Sequence, residues 1–176
     1  MITSNLENRA KELNAKFKNE FGLKLCQNIV EYVRVLPRQK FSSIIDKNIF
    51  TAQMSKIFNI TGAYTIERLC VAITRSELPP YIVYVDDYCE LLLTFMSTNT
   101  IKRADLVFDV FSGKGLHITK FEVRRALKET LGMQSIEEDE REEYLNNMTR
   151  MVMEATDVNQ DGIIVREEFR DMAVNS

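Results

Sequence analysis

The chain has 176 residues, of which 45% are apolar and 28% are charged, and its formal net charge is −3. This composition predicts a globular protein with one domain or two small lobes and excludes an intrinsically disordered chain. With 26 acidic against 23 basic residues, the chain lacks the excess positive charge of a nucleic-acid-binding surface, so we expect no nucleic acid partner.

The cysteines and the apolar runs indicate the compartment. Cys26, Cys70 and Cys89 stand singly in apolar surroundings, without a CxxC pair or a cluster around the lone His117. We expect buried free thiols in a reducing, cytoplasmic compartment. No apolar run approaches the roughly 18 residues of a membrane span. The chain begins Met1-Ile2 rather than Met-Gly, so we expect no myristoyl anchor.

The first predicted helix begins at Ser4, which has capping-box spacing to Glu7. Its apolar face consists of Leu6, Ala10, Leu13, Phe17 and Phe21, and its opposite face is basic, with Arg9, Lys11, Lys16 and Lys18. A basic amphipathic helix can bind a membrane or a partner, but a solvated charged face over a packed stripe is the more common case.

The rest of the chain also has apolar residues at helical spacing and only six glycines and three prolines, which predicts an all-α fold. The expected helices span 23–35, 47–58, 64–75, 86–97, 100–111, 119–131, 139–156 and 166–174. Short β-prone segments precede every second helix, at Ile44-Ile45, Ile82-Val83-Tyr84, His117-Ile118-Thr119 and Ile163-Ile164-Val165.

The pattern of helix, loop, short strand and helix therefore occurs four times. We expect the four units to form two lobes of two units each, with the short strands of a lobe paired, Ile45 with Val83 and Ile118 with Ile164. The predicted domains are an N-terminal amphipathic helix, an N-lobe and a C-lobe, over residues 1–20, 21–97 and 98–176.

The fourth loop, Asp157 to Glu168, carries oxygen-bearing side chains at alternate positions and then a glycine. Oxygens at loop positions 1, 3 and 5, a backbone carbonyl at position 7 and a bidentate glutamate at position 12 can surround a calcium ion. Gly162 stands at position 6, where a sharp turn is required. The predicted metal ligands are Asp157, Asn159, Asp161, Ile163 (through its carbonyl) and Glu168. Position 9 is Val165, so a water is expected at that vertex.

This loop matches the pattern D-x-[DN]-x-[DN]-G-x₅-E at every defined position, and the chain resembles the EF-hand family of the calmodulin superfamily. The third loop, about 112–122, has no early carboxylate and carries Lys114. The first has Arg38 and Ile49 at the outer ligand positions, and the second contains Leu78-Pro79-Pro80. We therefore expect one Ca²⁺ ion per chain, with Mg²⁺ as an occupant at resting calcium, and three empty units that serve as scaffold.

Within the family the chain is most similar to the calaxin and neuronal calcium sensor branch, through Asp46-Lys47-Asn48-Ile49-Phe50 and the acidic joint 135–140. This resemblance implies a protein of the cilium or flagellum axoneme that binds outer-arm dynein or its docking machinery.

Two functions remain open from the sequence. One is a calcium-dependent regulatory adaptor whose methionines, at 133, 148, 151, 153 and 172, line a groove for a partner helix, although methionines also fill cores. The other is a light-chain-like structural subunit that binds its target irrespective of calcium. An enzyme is not expected, because no paired base and nucleophile is present.

Overall fold

The structure is a computed structural model that describes residues 2–36, 43–74, 82–131 and 137–175. These residues are mainly helical and form two two-stranded sheets. The helices are α1 (Ile2–Lys16), α2 (Gly22–Val35), α3 (Lys47–Phe58), α4 (Ala63–Ile73), α5 (Val85–Met96), α6 (Thr100–Ser112), α7 (Lys120–Thr130), α8 (Glu138–Thr156) and α9 (Arg166–Asn175). The strands are β1 (Ile44–Ile45), β2 (Val83–Tyr84), β3 (His117–Thr119) and β4 (Ile163–Val165).

Both sheets have the predicted strand pairs. β1 pairs with β2 antiparallel, with Ile45 opposite Val83. β3 pairs with β4 in the same sense, with Ile118 opposite Ile164. All four side chains are buried, because each pair places its apolar residues on the core side of a short ladder.

Apart from α1, the helices lie where the apolar spacing predicts them, with bounds that differ by at most two residues. Helix α1 begins at Ile2 rather than at Ser4, and it ends at Lys16, short of the predicted range 1–20. It ends there because Lys18 and Asn19 have left-handed φ, +51° and +60°, so Phe17 and Phe21 lie beyond the helix. No glycine or proline stands before Ser4 to stop the helix, so Ile2 and Thr3 continue it and Ser4 is not its N-cap. The acidic joint leads into α8 as expected, with Glu138, Asp139 and Glu140 in the first turn, where acids complement the helix dipole.

The chain forms two compact units. Unit 1 comprises Met1–Gln53 and Ile73–Thr98, and unit 2 comprises Met54–Ala72 and Asn99–Ser176. One change of unit, between Thr98 and Asn99, lies one residue from the predicted lobe boundary between residues 97 and 98.

The division differs in two ways from the predicted one into 1–20, 21–97 and 98–176. The first helix belongs to unit 1, and residues 54–72 belong to unit 2. The physical reason for the second difference is a set of polar contacts from α4 to α6 and α7, among them the hydrogen bonds from the Tyr64 and Thr65 amides to Glu129.

In unit 1, helix α1 packs on α2 through the predicted apolar face. Ala10, Leu13 and Phe17 are buried on that face. On the basic face, Arg9 pairs with Asp86 and Lys16 pairs with Glu90 of α5. Part of the predicted basic face is therefore used for ion pairs within the unit. Within the described residues, none of the helices combines the length and apolar content needed to cross a bilayer.

In unit 2, a compact apolar cluster supports the last two loops. Its buried members are Phe108, Ile118, Val123, Met153 and Ile164, with Phe111, Leu127, Val152 and Phe169 packed against them. The cluster joins helices on both sides of each loop to the sheet between the loops. The packing of α8 and α9 in this cluster therefore holds both ends of the fourth loop without the help of an ion.

All three cysteines are free and buried, as predicted: Cys26, Cys70 and Cys89. Burial is the main cause that raises the pKa of Cys26, and it raises the pKa of Cys89 to about 12. Thiols in such surroundings are poor nucleophiles.

Candidate metal site

The candidate metal site is the loop between α8 and α9. Helix α8 ends at Thr156, and the Asp157 amide donates to the Met153 carbonyl at 2.8 Å, which closes the last turn. The chain then turns back through two residues in the left-handed region, Gln160 with φ +58° and Gly162 with φ +88°. Glycine adopts such a φ without steric cost, so Gly162 stands where the predicted loop requires it.

Asp157 is the inward-facing residue at the start of the loop. It is 6% exposed, and its two carboxylate oxygens accept from the amides of Asp161 at 3.2 Å and Gly162 at 2.9 Å. The first predicted ligand thus lies against the turn that contains the third.

Asn159 and Asp161 continue the same arrangement. The Asn159 side-chain oxygen accepts from the Asp161 amide at 3.0 Å, and its Nδ2 donates to the Asp161 carboxylate at 3.0 Å. The other Asp161 oxygen accepts from the amide of Ile163 at 3.0 Å. Ile163 itself lies in β4, opposite Thr119. The predicted ligands at positions 1, 3 and 5 are therefore linked to one another by hydrogen bonds within the five residues 157–161.

Glu168 closes the loop from the first turn of α9. One of its oxygens accepts from the amides of Val158 at 3.1 Å and Asn159 at 3.3 Å, and the other accepts from the amide of Val165 at 3.0 Å. The carboxylate therefore reaches across the loop to its beginning, ten residues away in sequence.

The donor set suits a hard cation, since it offers carboxylate, amide and backbone oxygens and no sulfur or imidazole. Among the described residues, however, no group of three or more His, Cys, Asp or Glu side chains is arranged to hold a metal ion. Each carboxylate of the loop instead accepts hydrogen bonds from backbone amides. An ion bound here would have to replace part of these contacts.

The third loop lacks this set of oxygens, as the sequence predicts. After α6, Gly113 and Lys114 both have left-handed φ, +64° and +62°. The Glu122 carboxylate forms a capping box with Thr119 at the start of α7. Burial acts to raise the pKa of Glu122, but the hydrogen bonds from Thr119 outweigh it, and the charge of Arg68 adds to them, so the pKa lies below its usual range.

The first two loops are described only at their ends. Arg38 and the 78–80 segment, Leu78-Pro79-Pro80, lie outside the described residues. Ile49 lies in α3 and is half-buried. Asp86 and Asp87 lie in the first turn of α5, as expected for acids that begin a helix.

Helix α9, which carries Glu168, is held by a group of charged residues that the sequence motifs do not indicate. Arg166 pairs with Asp109 of α6 at 2.5 Å and lies 4.5 Å from the centre of the Phe108 ring. Arg170 forms two hydrogen bonds to Asp105, at 2.6 and 3.0 Å. A signal for these contacts is present in the sequence. Asp105 and Asp109 are four residues apart, and so are Arg166 and Arg170, which places the two acids on one face of α6 and the two arginines on one face of α9.

The methionines of unit 2 divide between core and surface. Met153 is buried in the apolar cluster, whereas Met151 is 57% exposed. Met148 and Met172 are half-buried, and Met133 lies outside the described residues. Met153 therefore fits the interpretation that the methionines fill the core, and Met151 fits the interpretation that they line a groove.

Comparison of the sequence with protein-family models and with curated proteins gave no match.

Proposed function

We propose that residues 157–168 form a calcium-binding loop of the EF-hand type and that the chain is a calcium-binding adaptor with one working hand. The observation that carries this proposal is the convergence of Asp157, Asn159, Asp161 and Glu168 around the turn at Gly162. Oxygen ligands at these positions are the ones that a calcium loop uses.

The hydrogen bonds of the loop support a simple binding step. The loop carries three carboxylates, those of Asp157, Asp161 and Glu168, and each accepts from backbone amides, which are uncharged donors. A divalent ion would therefore be attracted to the negative charge of the loop. Carboxylate oxygens would exchange amide partners for the ion, while Gly162 already has its positive φ. Part of the conformational cost of the site is therefore met before binding.

The position of Glu168 supports a regulatory role. Because Glu168 lies on α9, a change in its partners would change the placement of α9 relative to α8, as in sensor hands. Arg166 pairs with Asp109, and Arg170 pairs with Asp105, so α9 is linked to α6. A movement of α9 would therefore extend to the third helix–loop–helix.

The partner that we propose is a helix of another protein. Tyr144 and Met151 lie two turns apart on α8 and are 47% and 57% exposed, so one face of α8 offers apolar side chains. An amphipathic helix is the usual ligand of such a face. From the resemblance stated above, we propose outer-arm dynein or its docking machinery as the source of this helix, and the axoneme as the location.

A second candidate is a constitutive, light-chain-like subunit. It is favoured by the third loop, where Glu122 is engaged in the capping box and Lys114 takes the place of an oxygen ligand. A lobe with one empty loop changes less on calcium binding than a lobe with two filled loops.

Calorimetric titration tests the site. The parent chain should bind one calcium ion, and the Asp157→Ala/Glu168→Ala variant should bind none. Glu167→Gln is the matched control, since Glu167 is exposed beside Glu168 and is not a predicted ligand, and it should bind one ion. Two or more ions in the parent, or binding that survives in the double variant, would contradict the proposal.

Spin labels distinguish the adaptor from the constitutive subunit. Because the native thiols are buried, labels can be attached selectively to cysteines introduced at Glu143 on α8 and Val174 on α9, both exposed. The adaptor predicts a calcium-dependent shift in the distance between labels that saturates at one ion per chain. Equal distances between the labels with calcium and with chelator would contradict the adaptor and support the constitutive subunit.

A further inference from the structure

The C-terminal end of α6, where the third loop begins, is covered by an arginine from α4. The Nη2 atom of Arg68 donates to the Phe111 carbonyl at 2.7 Å. The last carbonyls of a helix have no partners within the helix, and a cation there is favourable. The guanidinium group thus satisfies a backbone group at the start of the loop.

The same guanidinium group lies directly against the first glycine of the loop. A Cβ atom at Gly113 would lie 2.7 Å from Cζ of Arg68, closer than real side chains approach. The Nε atom of Arg68 is buried and has no hydrogen-bond partner among the described residues. Gly113 therefore leaves the space that the guanidinium group occupies.

The positive charge of Arg68 also acts on Glu122 at the end of the loop. It is one of the causes that hold the pKa of Glu122 below its usual range, after burial and the hydrogen bonds from Thr119. Glu122 stands at the place in the third loop that Glu168 has in the fourth. One cation thus interacts with both the beginning and the end of the third loop.

The N-terminal end of α4 is held by α7. The Glu129 carboxylate accepts from the amides of Tyr64 at 2.8 Å and Thr65 at 2.9 Å, and from the Thr65 hydroxyl. The guanidinium group of Arg125 lies 3.9 Å from the centre of the Tyr64 ring, within cation–π distance. Helix α4 is therefore fastened to α7 at one end and to α6 by Arg68.

We propose that Arg68 takes the place of a divalent ion in the third helix–loop–helix, and that α4 braces α6 against α7 in a single, calcium-independent arrangement. The inference rests on the proposed function only where it treats residues 112–122 as the counterpart of the calcium loop. In unit 2, the third loop would then be held by the side chain of Arg68, and the fourth loop would be free to bind an ion.

Native-state amide exchange in chelator tests the brace. The amides of Lys114 and Gly115 donate to the carbonyls of Asp109 and Ser112. In Arg68→Gln these two amides should exchange about 10- to 100-fold faster, the range expected when a charge-assisted hydrogen bond is lost. The fourth-loop amide of Gly162 should change by less than about three-fold.

Arg150→Gln is the matched control, because Arg150 is an exposed arginine of α8 whose partner is Glu154. It should leave third-loop exchange unchanged. Equal exchange in Arg68→Gln and Arg150→Gln would overturn the proposal. Calcium is absent from this experiment, so its failure would not affect the fourth-loop titration, and failure of the titration would not affect it.

A second measurement uses the parent chain, in case Arg68→Gln does not fold. The buried Nε–H proton of Arg68 should exchange with solvent more slowly than that of exposed Arg150. An Nε–H of Arg68 that exchanges as fast as that of Arg150 would overturn the proposal as well.

Discussion

Replacing Gly162 with alanine tests whether the fourth loop has its turn before an ion binds. Gly162 has φ +88°, and nothing lies within 4 Å of an added Cβ atom. The cost of the substitution is therefore backbone strain alone. A residue with a Cβ in the left-handed region costs about 1–2 kcal/mol, which lowers the Tm of a chain of this size by about 2–8 °C.

The expected effect on calcium affinity follows from the same geometry. Because the metal-free loop already contains the strained φ, both the free and the bound states carry the strain, and the affinity of Gly162→Ala should fall by less than about three-fold. If the turn formed only on binding, the full strain would enter the binding free energy. The affinity would then fall by about 5- to 30-fold.

Thermal unfolding in chelator and calorimetric calcium titration give the two numbers. Gly22→Ala is the matched control, since Gly22 also has positive φ, +71°, with nothing within 4 Å of an added Cβ, but lies at the start of α2. It should lower the Tm similarly and leave the affinity unchanged. An unchanged Tm in chelator, together with calcium binding at least about five-fold weaker in Gly162→Ala, would mean that the turn forms only on binding.

Two further predictions concern titratable groups. Because burial raises the pKa of Cys89 to about 12 and all three cysteines are buried, a thiol reagent at pH 8 should modify the native chain far more slowly than the urea-unfolded chain. Rapid modification of three thiols in the native state would contradict this burial. The lowered pKa of Glu122 means that its contribution to stability is present above the ordinary glutamate pKa of about 4.3 and is lost as pH falls through the lower folded value. In urea unfolding, the stability difference between the parent and Glu122→Gln should therefore shrink below about pH 4, and a difference that grows there would be inconsistent with the lowered pKa.

The sheets and most helices could be predicted because their signals are local. Ile118 and Ile164 stand in short β-branched segments between strongly periodic helices, and this pattern was sufficient to predict their pairing. The start of α1 was predicted less accurately, at Ser4 instead of Ile2. A capping-box spacing at Ser4 is a weak signal when no preceding residue prevents helical dihedrals.

The unit to which α4 belongs could not be predicted, because its contacts join residues far apart in sequence. The Thr65 amide and Glu129 are separated by 64 residues, and the Arg68 side chain reaches a carbonyl 43 residues away. Neither partner stands in a periodic pattern that identifies the other. Single arginines and glutamates are ordinary surface residues until the fold brings them together.

The hydrogen bonds of the candidate site could not be predicted from the sequence. Spacing alone identified Asp157, Asn159, Asp161 and Glu168. It could not indicate that the Glu168 carboxylate reaches back to the amides of Val158 and Asn159. That contact depends on the angle at which α9 leaves the loop, which the packing of the unit determines.

The order of the two units along the chain limits how this protein can be divided. Residues 54–72 fold with 99–176, while 73–98 folds with 1–53. A gene fragment that began at residue 99 would encode Glu129 and the end of α6 without the helix that contacts them. Recombination with another gene at any single position between residues 1 and 176 would therefore separate segments that fold together in at least one unit.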